Sequence, residues 1–371
     1  MPSSRFIFGT LPWYSVLIVA GVCLALLIAG REEKRLGLPT DSVVDLALWV
    51  IPAGIIGARA YYVVFAWETF RQNPVSVLYI WQGGLAIYGA VLGGLAAAAL
   101  FSRVKRLPLR RLTDMIVPGL LLAQAIGRWG NFFNMEAYGL PVTSPAWQFF
   151  PAAVLIPGAQ GDTWHMATFF YESLWNALGF LVLMGCRKRM SRAGDVTLWY
   201  FLLYGSGRMM IEGLRTDSLM ATDTLRISQL LSAVLCTAAL CVFVIRIVKF
   251  TTRRVLYASA ATGIAFALFA ALLPRPAAFT GYELMLLAAM FLTSAAAVML
   301  LTRRQHVQAI GCMTAAAVNL LARWVLTRTA LPAWGVSTLL TAALSLLLLT
   351  AAACAYTAAG ASSSQRSSTA S

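Results

Sequence analysis

Apolar residues in this chain come in runs of about twenty, separated by short polar stretches, from one end to the other. Wound as a helix, such a run crosses the roughly 30 Å of a bilayer's hydrocarbon core. The pattern predicts spans at about 13–30, 43–67, 83–101, 112–127, 167–186, 196–213 and 228–248. Four further runs, near 256–273, 283–301, 309–327 and 334–358, are built mostly of Ala and Leu. The expected fold is an all-α polytopic membrane protein with a seven-span core and about four additional C-terminal spans. The core takes residues 1–250 and a C-terminal multi-span appendage takes 251–358. A Ser- and Ala-rich tail, 359–371, is expected to be disordered. The third span is rich in glycine (Gly83, Gly84, Gly89, Gly93, Gly94), which lets helix backbones approach closely. The stretch 140–165 is polar, rich in Pro and Gly, and too long for a turn; it predicts a small cap on the outer surface.

Of the 371 residues 60% are hydrophobic and 12% charged, against about 25% charged in a soluble domain. The formal net charge of +15 would suit a nucleic-acid binder, but its placement argues against one. Lys and Arg gather in alternate short loops, at Arg31–Arg35, Arg103–Arg111, Arg187–Arg192 and Arg246–Arg254. The intervening segments hold fewer: Arg5, Arg71, Arg128, Arg215 and Arg226. This is the positive-inside bias, and it places the N-terminus outside and the C-terminus in the cytoplasm. No basic region precedes the first apolar run, so no cleavable signal peptide is expected. The six cysteines lie in or beside apolar runs without metal-ligand spacing, and read as small core residues.

Candidate chemistry concentrates in Gly127–Gly139, GRWGNFFNMEAYG, which follows the fourth apolar run. Arg128, Asn131, Asn134 and Glu136 fall within nine residues there. Such groups are costly at the lip of a membrane helix, so they mark a functional site by default. They share one side of a helix only if the helix continues past Phe133. Arg208, Glu212 and Arg215 form a second set at i, i+4 and i+7, a helical face. Two arginine–carboxylate faces meeting near the outer surface make a cavity of positive potential. Its natural occupant is a phosphate, because a guanidinium donates two parallel hydrogen bonds and keeps its charge. In a bilayer that phosphate belongs to a lipid head group. The alternative is structural, with arginine and glutamate on neighbouring helices simply neutralising each other. Arg59 reads as a snorkelling or paired residue. Glu172 and Asn176 either line the cavity or join helices. Tyr14 and Tyr88 read as interface or packing residues, His165 as a surface residue and Asp114 as a helix-start charge.

These stretches together resemble the prolipoprotein diacylglyceryl transferase family. GRWGNFFNMEAYG is similar to its arginine–glycine–asparagine signature. Trp13-Tyr14, Gly57–Tyr62, Gly83–Gly89, Phe170–Ser173 and Gly207–Arg215 resemble further family motifs in the same order. The resemblance covers about residues 5–250 and not 251–371. Tyr88 stands where some members carry a histidine, and His165 does not align with the His-Pro that some carry before the Tyr-Glu pair.

The resemblance implies an enzyme of the bacterial cell membrane. It would transfer the diacylglyceryl group of phosphatidylglycerol to the lipobox cysteine thiol of preprolipoproteins, giving a thioether and glycerol 1-phosphate. Arg128 and Arg208 would stabilise charge on the departing phosphate. A thiol of pKa about 8.5 is mostly protonated near neutrality, so a base is needed. Glu136, Glu212 and Tyr88 are the candidates. Asn131 and Asn134 would hold glycerol hydroxyls or phosphate oxygens. Gly139 would close the turn into the cap, and Tyr14 would complete the pocket. No metal or cofactor is implied. A transporter or flippase for anionic lipid or solute shares the membrane charges, but would show inverted repeats and broken helices. None is visible in the sequence.

Overall fold

A computed structural model describes residues 5–158, 161–190, 192–216, 226–248, 251–272, 283–302, 305–326 and 333–369. Its helices occupy the apolar runs. In order they are α1 (Trp13–Leu36), α2 (Ser42–Phe65), a short α3 (Trp67–Phe70), α4 (Ile87–Val104), α5 (Leu109–Asn134), α6 (Thr168–Cys186), α7 (Asp195–Glu212) and α8 (Ile227–Val248). The C-terminal third adds α9 (Arg253–Leu272), α10 (Glu283–Thr302), α11 (His306–Leu326) and α12 (Ala333–Thr369). Two small antiparallel hairpins complete the described residues: β1 (Phe6–Ile7) with β2 (Leu11–Pro12), and β3 (Ala153–Ile156) with β4 (Thr163–Met166).

Among the described residues six segments are long and apolar enough to cross a membrane: Trp13–Leu36, Ser42–Phe65, Ile87–Val104, Thr168–Arg189, Ile227–Arg246 and Thr338–Ala358. The hydropathy pattern alone predicts more. The difference in the core lies in α5, which carries Arg110, Arg111, Asp114 and Arg128, and in α7, which carries Asp195, Arg208 and Glu212. Arg303 and Arg304 lie outside the described residues. So does most of the 214–227 loop. The last helix, α12, runs on through the Ser- and Ala-rich stretch from 359 to Thr369.

The chain divides into two compact units. The first takes Met1–Ile18, Gln124–Val182 and Leu198–Ser371; the second takes Val19–Ala123 and Leu183–Thr197.

In the second unit α2 and α4 lie backbone to backbone. A Cβ on Gly93 would strike the Ala53 carbonyl, and one on Gly89 would strike the Gly57 carbonyl. The glycine-rich third span is therefore a packing surface for α2. Leu46, Phe101, Leu112 and Met115 fill the core of this unit. Arg59, 7% exposed, carries no ion pair with a described carboxylate. Its guanidinium instead donates to the carbonyls of Ser76 (2.7 Å), Val77 (2.8 Å), Gly83 (2.8 Å) and Gly84 (3.1 Å), and stacks on Phe70. It is a clamp on the loop that leads into α4, neither snorkelling nor paired. Asp114 is not a cap on its own helix. Its carboxylate accepts from the Gly194 and Thr197 amides at 2.6 and 2.8 Å and so caps α7.

In the first unit α7 and α8 pack with α10, α11 and α12 around one core that includes Leu202, Met209, Cys236, Phe243, Leu344 and Leu348. The C-terminal helices are thus built onto α7 and α8. Ser345 of α12 donates its hydroxyl to the Ser206 carbonyl of α7 at 3.2 Å. Trp175 of α6 lies over Gly207 and donates to the Leu203 carbonyl at 2.6 Å. Gly207 keeps α6 and α7 close enough for that contact.

Candidate functional site

The Gly127–Gly139 motif is the last two turns of α5 and the chain reversal that follows it. The helix stops at Asn134, because Met135 and Ala137 take left-handed backbone conformations, φ 53° and 56°. Such conformations cost L-residues roughly 1–2 kcal/mol each and often accompany functional sites. The reversal throws Glu136 back over the helix end. Its Oε1 accepts from the side-chain amides of Asn131 at 2.9 Å and Asn134 at 3.3 Å, and its own N–H donates to the Asn131 carbonyl at 3.0 Å. Glu136 therefore joins Asn131 and Asn134 by folding back, and not by sharing a helical face.

Arg128, one turn before Asn131, reaches α6. Its Nη2 lies 2.6 Å from Oε1 of Glu172, and its Nη1 lies 3.5 Å from Oδ1 of Asn131. The other Glu172 oxygen, Oε2, accepts from Arg208 Nη1 of α7 at 2.8 Å. Arg208 Nη2 then meets Glu212 at 2.7 Å, and Glu212 also holds Arg215 at 3.5 Å. Arg226 donates to the backbone carbonyls of Glu212 and Arg215. The carboxylates of Glu172 and Glu212 are almost fully buried, while the arginine side chains keep 13–21% exposure. Among the described residues three guanidiniums (Arg128, Arg208, Arg215) thus meet two carboxylates, Glu172 and Glu212. Arg215 is not on the helical face its spacing suggests. α7 ends at Glu212, and Arg215 instead forms a β-bridge with Gly139.

Gly139 is a crossing point of three segments. Its N–H donates to the Met166 carbonyl at 2.9 Å, and His165 Nδ1 lies 2.8 Å from its carbonyl oxygen. A Cβ there would sit 2.8 Å from Met166 and Thr168 side-chain carbons and 3.0 Å from the Leu214 carbonyl. The 140–165 stretch folds as the β3–β4 hairpin, which residues 139–142 extend through the Val142 N–H donating to the Trp164 carbonyl at 2.7 Å. His165 is part of this seam. A shallow cleft beside Glu136 is lined by Asn131, Phe132, Met135, Tyr138, Val154, Ile156 and Phe169.

Tyr14 seats its ring on Gly130, where any Cβ would collide with it, and Trp13 stacks on Phe133 at 4.8 Å. The start of α1 is therefore fixed on the same helix end as Arg128. Tyr88 belongs to the second unit, on the first turn of α4, with its ring 6.4 Å from that of Tyr61. The first unit alone brings together Arg128, Asn131, Asn134, Glu136, Gly139, Tyr14, Arg208 and Glu212; Tyr88 is not in it.

The Phe170–Ser173 motif leaves the role of Glu172 open, and no motif contains Tyr204. Glu172 is the hub that joins both arginines. Tyr204, one turn before Arg208, lies beside Glu172, Arg208 and Arg128. The signal for Tyr204 is the stripe Tyr200, Tyr204, Arg208, Glu212 at a constant spacing of four. Among the described residues no group of three or more His, Cys, Asp or Glu side chains is placed to hold a metal ion.

Comparison with known proteins agrees with this geometry. The sequence profile described as "Prolipoprotein diacylglyceryl transferase" matches residues 5–245. The phosphatidylglycerol–prolipoprotein diacylglyceryl transferase of Shouchella clausii (strain KSM-K16) is 43% identical over 252 residues, 67% of this chain and 91% of that protein. The protein of the same name from Limosilactobacillus reuteri (strain DSM 20016) is 46% identical over 242 residues, 64% of this chain and 87% of the relative. That of Enterococcus faecalis (strain ATCC 700802 / V583) is 44% identical over 238 residues, 63% of this chain and 86% of the relative. The matched stretch contains every residue of the arginine cluster and stops before α9. With two thirds of its length matched and its charged core assembled from that same stretch, this chain belongs to the prolipoprotein diacylglyceryl transferase family.

Proposed function

We propose that the chain transfers the diacylglyceryl group of phosphatidylglycerol to the lipobox cysteine thiol of preprolipoprotein signal peptides. The sulfur attacks the glycerol carbon that carries the phosphate. The carbon–oxygen bond breaks, a thioether forms, glycerol 1-phosphate leaves, and the thiol proton passes to a base. The reaction balances without a change of oxidation state.

The observation that supports this reading most is the pair of arginines on one carboxylate. Glu172 holds Arg128 and Arg208 on its two oxygens, so both guanidiniums are oriented before a lipid arrives. Charge that grows on the leaving phosphate oxygen would meet donors already in place, and loss of one such donor costs about 10²–10³ in turnover. Asn131 and Asn134 would hold glycerol hydroxyls or phosphate oxygens. Of the base candidates Glu136 is favoured over Glu212 and Tyr88. Its carboxylate accepts from two amides and from no described arginine, while Glu212 pairs with Arg208 and Arg215. Tyr14 would close the lipid site from α1, and Gly139 would set the cap over it.

The enzyme would lie in the bacterial cell membrane with its N-terminus outside, seven core spans, about four more beyond residue 251, and its C-terminus in the cytoplasm. The positive-inside bias supports that orientation. Nothing in the fold or in the relatives named above favours a transporter or flippase. The test is direct. Purified protein with phosphatidylglycerol and a lipobox peptide should yield lipidated peptide, and Arg128→Ala and Arg208→Ala should each abolish it. Wild-type-like turnover in both variants rejects the mechanism.

A further inference from the structure

One polar side chain of the first unit is not used by the arginine cluster. Asn176 is 1% exposed, and neither its Nδ2 nor its Oδ1 has a hydrogen-bond partner among the described residues. Burying an amide without a hydrogen-bond partner in an apolar medium is costly. A group of this kind in a membrane helix calls for a ligand.

Its direction is fixed by its neighbours on α6. Ser173 points to α5, where its hydroxyl donates to the Ala125 carbonyl at 2.8 Å. Trp175 points to α7, where it donates to the Leu203 carbonyl. At about 100° per residue, Glu172 and Asn176 share the sector between these two directions. Asn176 therefore faces the seam between α5 and α7, one turn beyond Glu172 on the side away from the cap. That level of the seam is polar on all three helices. α5 presents Gln124, which donates to Tyr200 at 3.0 Å and leaves its Oε1 buried and unpartnered. α7 presents Tyr200 and Tyr204, their rings stacked 5.8 Å apart.

We propose that Asn176 is the contact for the ester-linked glycerol backbone of the lipid, the rung below the phosphate rung of Arg128 and Arg208. This rests on the head-group reading given above. One helical turn is about 5.4 Å, the few bonds that separate a phosphodiester from the first acyl ester carbonyl. The spare polar groups lie on the acyl-chain side of the arginines, so they meet the ester region and not the distal glycerol. An ester carbonyl accepts a hydrogen bond, which the Asn176 amide supplies. An ether-linked chain offers no carbonyl, so the site selects ester-linked lipid.

Purified full-length protein in detergent tests this by thermal shift, with diacyl phosphatidylglycerol and its di-ether counterpart of equal chain length. Wild type should bind the ester lipid about threefold to tenfold more tightly, the worth of one net hydrogen bond. Asn176→Leu should bind both lipids with the wild type's ether affinity, and its lipid-free Tm should be no lower, since an unpaired amide is replaced by an apolar group of similar size. Asn176→Ala provides the same ratio from a smaller side chain. An unchanged ester-to-ether ratio in both variants, or no preference in wild type, overturns the Asn176 contact alone. A wild type that neither lipid stabilises overturns the head-group reading along with it.

Discussion

Glu172 gives Arg208 one carboxylate oxygen, at 2.8 Å, and keeps the other for Arg128 at 2.6 Å. One residue of α6 thus decides the spacing of two cations on α5 and α7. Removing it leaves two guanidiniums with their shared counter-charge gone. Breaking a buried pair in this way costs about 3–5 kcal/mol. Glu172→Ala should lower Tm in detergent and reduce peptide lipidation at least 10²-fold, whereas a residue that merely joined helices would affect Tm alone.

Asp114 caps α7 from α5, with both oxygens used. Loss of a cap costs about 0.5–2 kcal/mol. Asp114→Ala is expected to lower Tm by a few degrees, and Asp114→Asn, which keeps one acceptor oxygen, to recover most of that loss. Equal Tm for Asp114→Ala and wild type would remove the cap from the account.

Arg59 ties down the 76–84 loop through four carbonyls in two directions. A lysine brings one compact ammonium and cannot span them. Limited proteolysis of Arg59→Lys and Arg59→Ala should therefore open a cleavage site between residues 71 and 86 that wild type lacks.

Ser345 bonds α12 to α7 two residues before Arg208 in sequence. Its removal should cost about 0.5–1.5 kcal/mol. The same packing gives truncation after Arg254 a larger effect, since Leu344 and Leu348 share a core with Leu202 and Met209. We expect truncation to depress Tm well beyond Ser345→Ala and to slow lipidation. Full activity and an unaltered Tm in the truncated protein would make the appendage independent of α7.

The sequence by itself determined where the helices run. A twenty-residue apolar run in a bilayer must satisfy its own backbone, and helix is the local solution. It also determined which residue types would gather, because an arginine or glutamate inside such a run needs a partner. The tertiary structure decided who the partners are. Glu136 and Arg215 could not be placed by helical spacing, since α5 and α7 end at Asn134 and Glu212 and the chain reverses beyond each. Glu172 could be read as joining helices or lining a cavity until α5 and α7 were set on either side of it. Tyr88, grouped with the arginines by motif alone, falls in the other unit. The appendage, set apart in the sequence by composition, shares a core with α7 and α8. The reason is one of range: apolar periodicity is a property of neighbours along the chain, whereas an ion pair between helices depends on the rotation and depth at which they pack.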